Sequence, residues 1–312
     1  MSKFNIPGGV WPVMLTPFTE DGAHIDFGML EKLVNWYIDN GSAGLFAVCQ
    51  SSEMFFLSPE ERLEYAKFVV KTVNGRIPVV ASGHVADDEA TQLREAEAMY
   101  ATGIEALVLL PNRFAAADQT DDDFISNLDR FLGKLDPSIP LGMYECPYPY
   151  KRVMTPKSVA YCADSGRFCF VKDTCCCLDD IKAKLAAVHN PDFRIFNANC
   201  ATLLDSMRAG CAGFSGVMAN FHPYLYSYLC AHAGEHTEFV QRVQDFVGIT
   251  SCIEGRTYPV CAKVYLGRYE LPGFRTVCRS MNAADMTDSV NWEIDSLYRL
   301  SMSMKAEIDA RK

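Results

Sequence analysis

The sequence predicts a (β/α)8 TIM barrel followed by a C-terminal helical extension. Eight short, β-rich apolar runs recur between Val10 and Ala219, and a stretch with helical spacing follows each of them. Successive runs lie about 30 residues apart, the length that a βαβ unit requires. After Glu235 the strand runs stop and the spacing reads helical to the end.

The first run is Val10 to Phe18, followed by Gly44 to Cys49, Ile77 to Gly83 and Ala106 to Pro111. Pro140 to Tyr144, Phe168 to Lys172, Phe193 to Ala198 and Gly213 to Ala219 complete the set. They are mostly apolar at consecutive positions, as parallel strands covered on both faces must be. Between them, Asp26 to Asn40 carries Phe27, Leu30, Val34 and Ile38 at helical spacing and stops at Gly41. Ser58-Pro59-Glu60-Glu61 starts the next helix with a serine cap, a proline in the first position and a glutamate three residues after the cap. Thr155-Pro156 starts another by the same cap-then-proline logic. Helices near residues 87–102, 121–135, 178–189, 200–210 and 221–233 fill the other crossovers. An open, doubly wound sheet gives the same alternation, but eight uninterrupted units favour closure. The reading divides the chain into a barrel over residues 1–234 and an extension over residues 235–312, packed on the barrel. The last helix of that extension is expected from about Met281 to Arg311.

The net charge of −10 disfavours nucleic-acid and acidic-membrane partners, which attract Lys/Arg surfaces. It leaves room for a small anionic substrate, which feels only its own pocket. The first residues lack the apolar run of a signal peptide, and no stretch approaches the roughly 20 apolar residues of a membrane span. Thirteen cysteines without a regular framework point to reduced thiols and a cytoplasmic location.

Barrel enzymes place their chemistry at the C-terminal ends of the strands. Lys172 closes the apolar run Phe168-Cys169-Phe170-Val171, so its amine stands where a surface lysine rarely does. Partial desolvation yields a neutral amine that attacks ketones to give an imine; the plainer alternative is a lysine that reaches solvent or pairs with Asp173. Tyr144 ends the preceding strand, where a phenol can move protons or merely pack with Tyr148 and Tyr150. Ser51 and Ser52 follow the second strand and either hold a carboxylate or serve an ordinary turn. Arg113, after the fourth strand, is a candidate carboxylate or polyol contact, against an ordinary salt-bridged arginine. Cys175-Cys176-Cys177 cannot all turn toward one ion with the spacing that zinc sites use, so no metal is expected.

These residues carry a resemblance. Thr16-Pro17-Phe18, Gln50-Ser51-Ser52-Glu53 with Leu57-Ser58, Tyr144-Glu145-Cys146-Pro147, Val171-Lys172-Asp173 and Gly213 to Asn220 resemble, in order, motifs of the dihydrodipicolinate synthase/N-acetylneuraminate lyase family of class I aldolases. The resemblance covers essentially the whole chain. It implies that Lys172 forms the imine, that Tyr144 shuttles the proton, and that Ser51 hydrogen-bonds the phenol while positioning the substrate carboxylate. It also implies that the backbone N–H groups of Gln50 and Ser51 bind that carboxylate, that Ser52 belongs to the same binding loop, and that the carbonyl of Ser215 faces the lysine. No separate cofactor is implied beyond the covalent imine on Lys172, and a homotetramer is expected by resemblance.

The chain departs from the family pattern in several places. Cys49 and Ser52 replace two loop glycines, and Gln50 replaces a threonine. Asn112-Arg113-Phe114 stands where a second tyrosine is expected, Pro149 where an arginine is, and Asn199 where sialic-acid lyases carry an aspartate. The expectation is therefore a Schiff-base lyase or aldolase acting on pyruvate or a 2-oxo (sugar) acid, other than a true dihydrodipicolinate synthase. The alternative is a catalytically altered barrel that binds a 2-oxo acid or acts in regulation.

Overall fold

The computed structural model describes residues 6–311. The first five residues, part of the stretch read above for a signal peptide, and Lys312 lie outside the described residues. The strands are β1 (Gly9–Val10), β2 (Leu45–Phe46), β3 (Val79–Ala81), β4 (Ala106–Leu109), β5 (Leu141–Tyr144), β6 (Phe168–Asp173), β7 (Arg194–Asn197) and β8 (Gly213–Phe214). All pair in parallel, in the order β1-β8-β7-β6-β5-β4-β3-β2. Parallel bridges from Val10 to Ser42 and from Val13 to Phe46 join the two ends of that row and close the barrel. After each strand in turn come α1 (Phe27–Asp39), α2 (Pro59–Val73), α3 (Glu89–Tyr100), α4 (Asp121–Leu132), α5 (Pro156–Asp164), α6 (Leu178–Ala187), α7 (Leu203–Ala209) and α8 (Pro223–His232).

The helix starts follow local chemistry. Ser58 and Glu61 form a reciprocal capping box with Pro59 in the first turn, and Thr155 does the same with Ser158 and Pro156. Gly41 follows α1 at φ 84°, a backbone that glycine adopts without strain. The strands are shorter than the apolar runs. Of the first run only Val10 lies in a strand, with Gly9 before it, because Pro12 and Pro17 have no N–H to donate. The last run leaves the sheet after Phe214 and turns through a 3-10 segment at Val217–Asn220.

At the seam between β1 and β8 the backbones nearly touch. A Cβ added to Gly213 would stand 1.9 Å from the carbonyl oxygen of Gly9, an atom that cannot swing away. Gly213→Ala is therefore expected to pry the seam apart and lower the stability by about 2–3 kcal/mol. A lowered urea midpoint checks this; an unchanged midpoint would show that the seam is slack.

The extension holds α9 (Glu238–Thr250), α10 (Val260–Tyr265) and α11 (Asp288–Asp309). The last helix begins seven residues or so later than the periodicity implies, since Thr287 caps it by accepting from the Val290 N–H. The residues before it form a separate 3-10 turn, Ala283–Asp285, capped by Asn282. α10 packs on α11, and α11 on α8. Among the described residues no helix is long and apolar enough to cross a membrane.

Candidate active site

Tyr144 and Lys172 are direct partners in the register of β5 and β6. Adjacent residues in register point to the same side of the sheet, and both side chains enter the barrel. The Lys172 Nζ lies 4.0 Å from the centre of the Tyr144 ring and 5.8 Å from that of Phe46, whose ring meets Tyr144 edge-on. Lys172 is only 4% exposed. Burial drives its pKa down from 10.5 to about 8, with the nearby Cys49, Cys146 and Glu254 acting in the opposite direction. An amine of this kind is neutral far more often at physiological pH than a surface lysine.

Burial raises the Tyr144 phenol well above its usual range, and the Cys146 and Cys49 thiols add to the effect. The Cys146 thiol beside it donates to Gln50 Oε1 at 3.4 Å. Ser51 is buried beside a second phenol, Tyr258 from the extension.

The remaining candidates fall in distinct places. The Ser52 hydroxyl is used by its own turn, accepting from Cys49 N at 2.8 Å and donating to Cys49 O at 2.7 Å. Cys49, which stands where the family pattern has a glycine, is fully buried and directs its thiol to the carbonyls of Met14 and Phe46. Ser215 lines the same small cavity as Lys172, together with Phe46, Phe170 and Phe196, while its hydroxyl donates to Trp11 O. Arg113 does not join this group. Its guanidinium lies over the Phe55 ring and 3.6 Å from Asp87, at the rim. Asn112 beside it donates to the carbonyls of Cys146, Tyr148 and Tyr150 and so shapes the loop after Tyr144.

Two buried charge clusters hold the loops in place, and sequence spacing foretold neither. Lys184 on α6 reaches Glu145 at 2.7 Å and also Asp173. These carboxylates directly follow Tyr144 and Lys172 in sequence, so one ammonium ties the ends of β5 and β6 together. The hint in the sequence is a lysine three residues after Ile181, on the apolar stripe of α6. Glu53, at φ 61°, pairs with Lys263 at 2.8 Å and accepts from Arg279 N, Ser280 N and Ser280 Oγ, fastening the β2 loop to the extension.

The cavity touching Lys172 measures only about 10 Å³, the space of about one water. Among the described residues no group of three or more His, Cys, Asp or Glu side chains could hold a metal ion.

Known proteins of similar sequence and fold bear on this arrangement. A 4-hydroxy-tetrahydrodipicolinate synthase from Pseudoalteromonas atlantica is 27% identical over 257 residues, 82% of this chain and 85% of that protein. One from Clostridium acetobutylicum is 25% identical over 254 residues, 80% and 83% of the two chains. The names of these relatives give no support to setting dihydrodipicolinate synthesis aside, as the departures at Asn112-Arg113-Phe114 and Pro149 had led us to expect. A dihydrodipicolinate synthase from Acinetobacter baumannii, solved with pyruvate, shares the fold with a TM-score of 0.82 at 20% identity, over 95% of this chain and 99% of that one. The model of the dihydrodipicolinate synthetase family matches residues 6–272, through the whole barrel and into the extension. On this match, the chain belongs to the dihydrodipicolinate synthetase family.

Proposed function

We propose that the protein is a class I lyase or aldolase in which Lys172 forms a Schiff base with pyruvate or a 2-oxo acid that yields pyruvate. The observation that carries this reading is the buried Lys172 amine held against Tyr144 on the neighbouring strand. The neutral amine adds to the C2 carbonyl, the resulting carbinolamine loses water, and the protonated imine draws electrons from C3. A C3–C4 bond can then form or break. Tyr144 is the group placed to carry protons to and from the carbinolamine oxygen. Ser51 and the loop N–H groups are assigned to the substrate carboxylate, and the backbone of Ser215 to the lysine. The same reading includes a homo-oligomer and a cytoplasmic location.

Borohydride added with pyruvate is expected to reduce the imine and leave a stable mass increase on Lys172. The initial rate of trapping should rise with pH toward a plateau above about 8, because the attacking amine must first lose its proton. No adduct at any pH would sink the assignment. The acceptor is then found by assay with a panel of aldehydes, in which formation of 4-hydroxy-tetrahydrodipicolinate is a required readout because the relatives are named as its synthases.

A second reading is favoured by Cys49, a fully buried side chain standing in the loop where the family pattern has a glycine. In it the barrel binds a 2-oxo acid without turning it over. An adduct on Lys172 without cleavage or condensation of any candidate would support that reading.

A further inference from the structure

Arg113 has no part in the mechanism above, yet its guanidinium is buried with donors left unmet. The side chain is only 12% exposed. Among the described residues its Nε–H is buried without a hydrogen-bond partner, and its ion pair runs 3.6 Å to the fully exposed Asp87. That separation is too long for a hydrogen bond, and an exposed carboxylate is a weak, screened partner. Two arginines buried as deeply behave differently. Arg62 donates to Met54 O, Leu57 O and Glu95, and Arg152 donates to the carbonyls of Ala116, Gln119 and Thr120.

The surroundings of Arg113 place it at the mouth of the barrel. The loops that follow β2 and β5 meet twice, although β3 and β4 separate those strands in the ring. Two residues past Tyr144, the Cys146 thiol reaches Gln50; further along both loops, the rings of Phe55 and Tyr148 pack with centres 4.6 Å apart. The Arg113 guanidinium lies over Phe55, 5.9 Å from the ring centre, and Asn112 beside it holds the Tyr148 carbonyl. Stacking on a ring fixes the plane of a guanidinium and leaves its in-plane N–H groups free. Tyr148 is half exposed, so this corner of the mouth meets solvent.

We propose that Arg113 is a specificity-determining residue of the Lys172 site, whose guanidinium binds a second acidic group, carboxylate or phosphate, at the far end of the substrate. Among 2-oxo acids that form the imine, it selects those with an anion at both ends over those with a neutral tail. A hydrogen bond to an oxyanion is about twice as strong as one to a neutral oxygen. Such a ligand also relieves the cost of a buried donor without a partner. The proposal rests on imine formation at Lys172.

The test compares the concentrations that half-saturate borohydride trapping within two pairs of ligands of equal carbon chain. One pair is 2-oxoadipate and 2-oxohexanoate; the other is 2-keto-3-deoxy-6-phosphogluconate and 2-keto-3-deoxygluconate. The wild type is expected to take the doubly charged member of at least one pair at a concentration about tenfold lower, and the pair with the larger ratio tells carboxylate from phosphate. Arg113→Met should bring that ratio within about twofold, and Arg113→Lys, which keeps the charge but loses the planar fork, should fall between. Asp87→Asn removes the competing carboxylate and should widen the ratio about two- to threefold, a change that a merely structural arginine would not produce. Each ratio compares two ligands on one protein, so a general loss of trapping in a variant cancels. A wild type without the preference, or a ratio that Arg113→Met leaves unchanged, overturns this proposal alone. Should Arg113→Met fail to fold, Asp87→Asn decides: the residue is fully exposed, its replacement leaves the fold intact, and a ratio that does not widen overturns the proposal. Absence of any pyruvate adduct in the wild type overturns it together with the Schiff-base reading.

Discussion

Lys172→Met is expected to remove the pyruvate adduct and to lower turnover on the order of 10⁴-fold or more, the scale seen when a covalent nucleophile is lost. The same variant should be more stable than the wild type. The folded protein holds the Lys172 pKa at about 8 against 10.5 in an exposed lysine, a gap worth about 3 kcal/mol. Between those two pH values the unfolded chain binds a proton that the folded chain does not, so folding is penalised in full below about 8. The penalty fades as the pH rises toward 10.5. Urea unfolding at pH 7 should therefore show the methionine variant ahead by up to about 3 kcal/mol, and at pH 10 the advantage should shrink. A variant less stable than the wild type at pH 7 would mean that the amine has partners sufficient to offset its burial.

Lys184→Met should have the opposite effect on stability. The ammonium sits between the fully buried carboxylates of Glu145 and Asp173. Burial opposes its charge, but the two carboxylates outweigh burial and hold its pKa above the usual lysine range. Removing it leaves two acidic groups facing each other without a counterion, at a cost of about 3–5 kcal/mol. Burial, followed by the repulsion of Asp173, already raises the Glu145 carboxyl, and losing Lys184 pushes it further. A folded state with a raised carboxyl pKa binds the extra proton and loses stability as the pH climbs through that value. The deficit of Lys184→Met should accordingly be smaller at pH 5 than at pH 8, as read from urea midpoints. A deficit that ignores pH would point to lost packing along the lysine stem instead.

Both variants bear on what was legible in advance. Phe168-Cys169-Phe170-Val171 and its terminal lysine read as a buried strand from composition alone, and β6 is buried along its whole length. The caps at Ser58 and Thr155 were equally legible, since they depend on residues three apart. Lys184 and Glu145 are 39 residues apart, Glu53 and Lys263 are 210 apart, and no local pattern links them. The partners that Ser52 and Arg113 find in the structure were not legible for a related reason. A hydroxyl or guanidinium near a strand end can serve a ligand, its own turn or a neighbouring acid, and only the position of the competing partners decides.

What the amino-acid order determined by itself was the alternation of eight strands and helices and the placing of one lysine and one tyrosine at the ends of adjacent strands. Periodicity, capping and turn chemistry act over a few residues and are written directly in the chain. What only the tertiary structure decided was the company those two side chains keep: Cys146 beside Tyr144, Tyr258 beside Ser51, and Lys184 tying the ends of both strands together. Burial comes from residues distant in sequence, and it is this that moves the Lys172 amine away from an ordinary lysine.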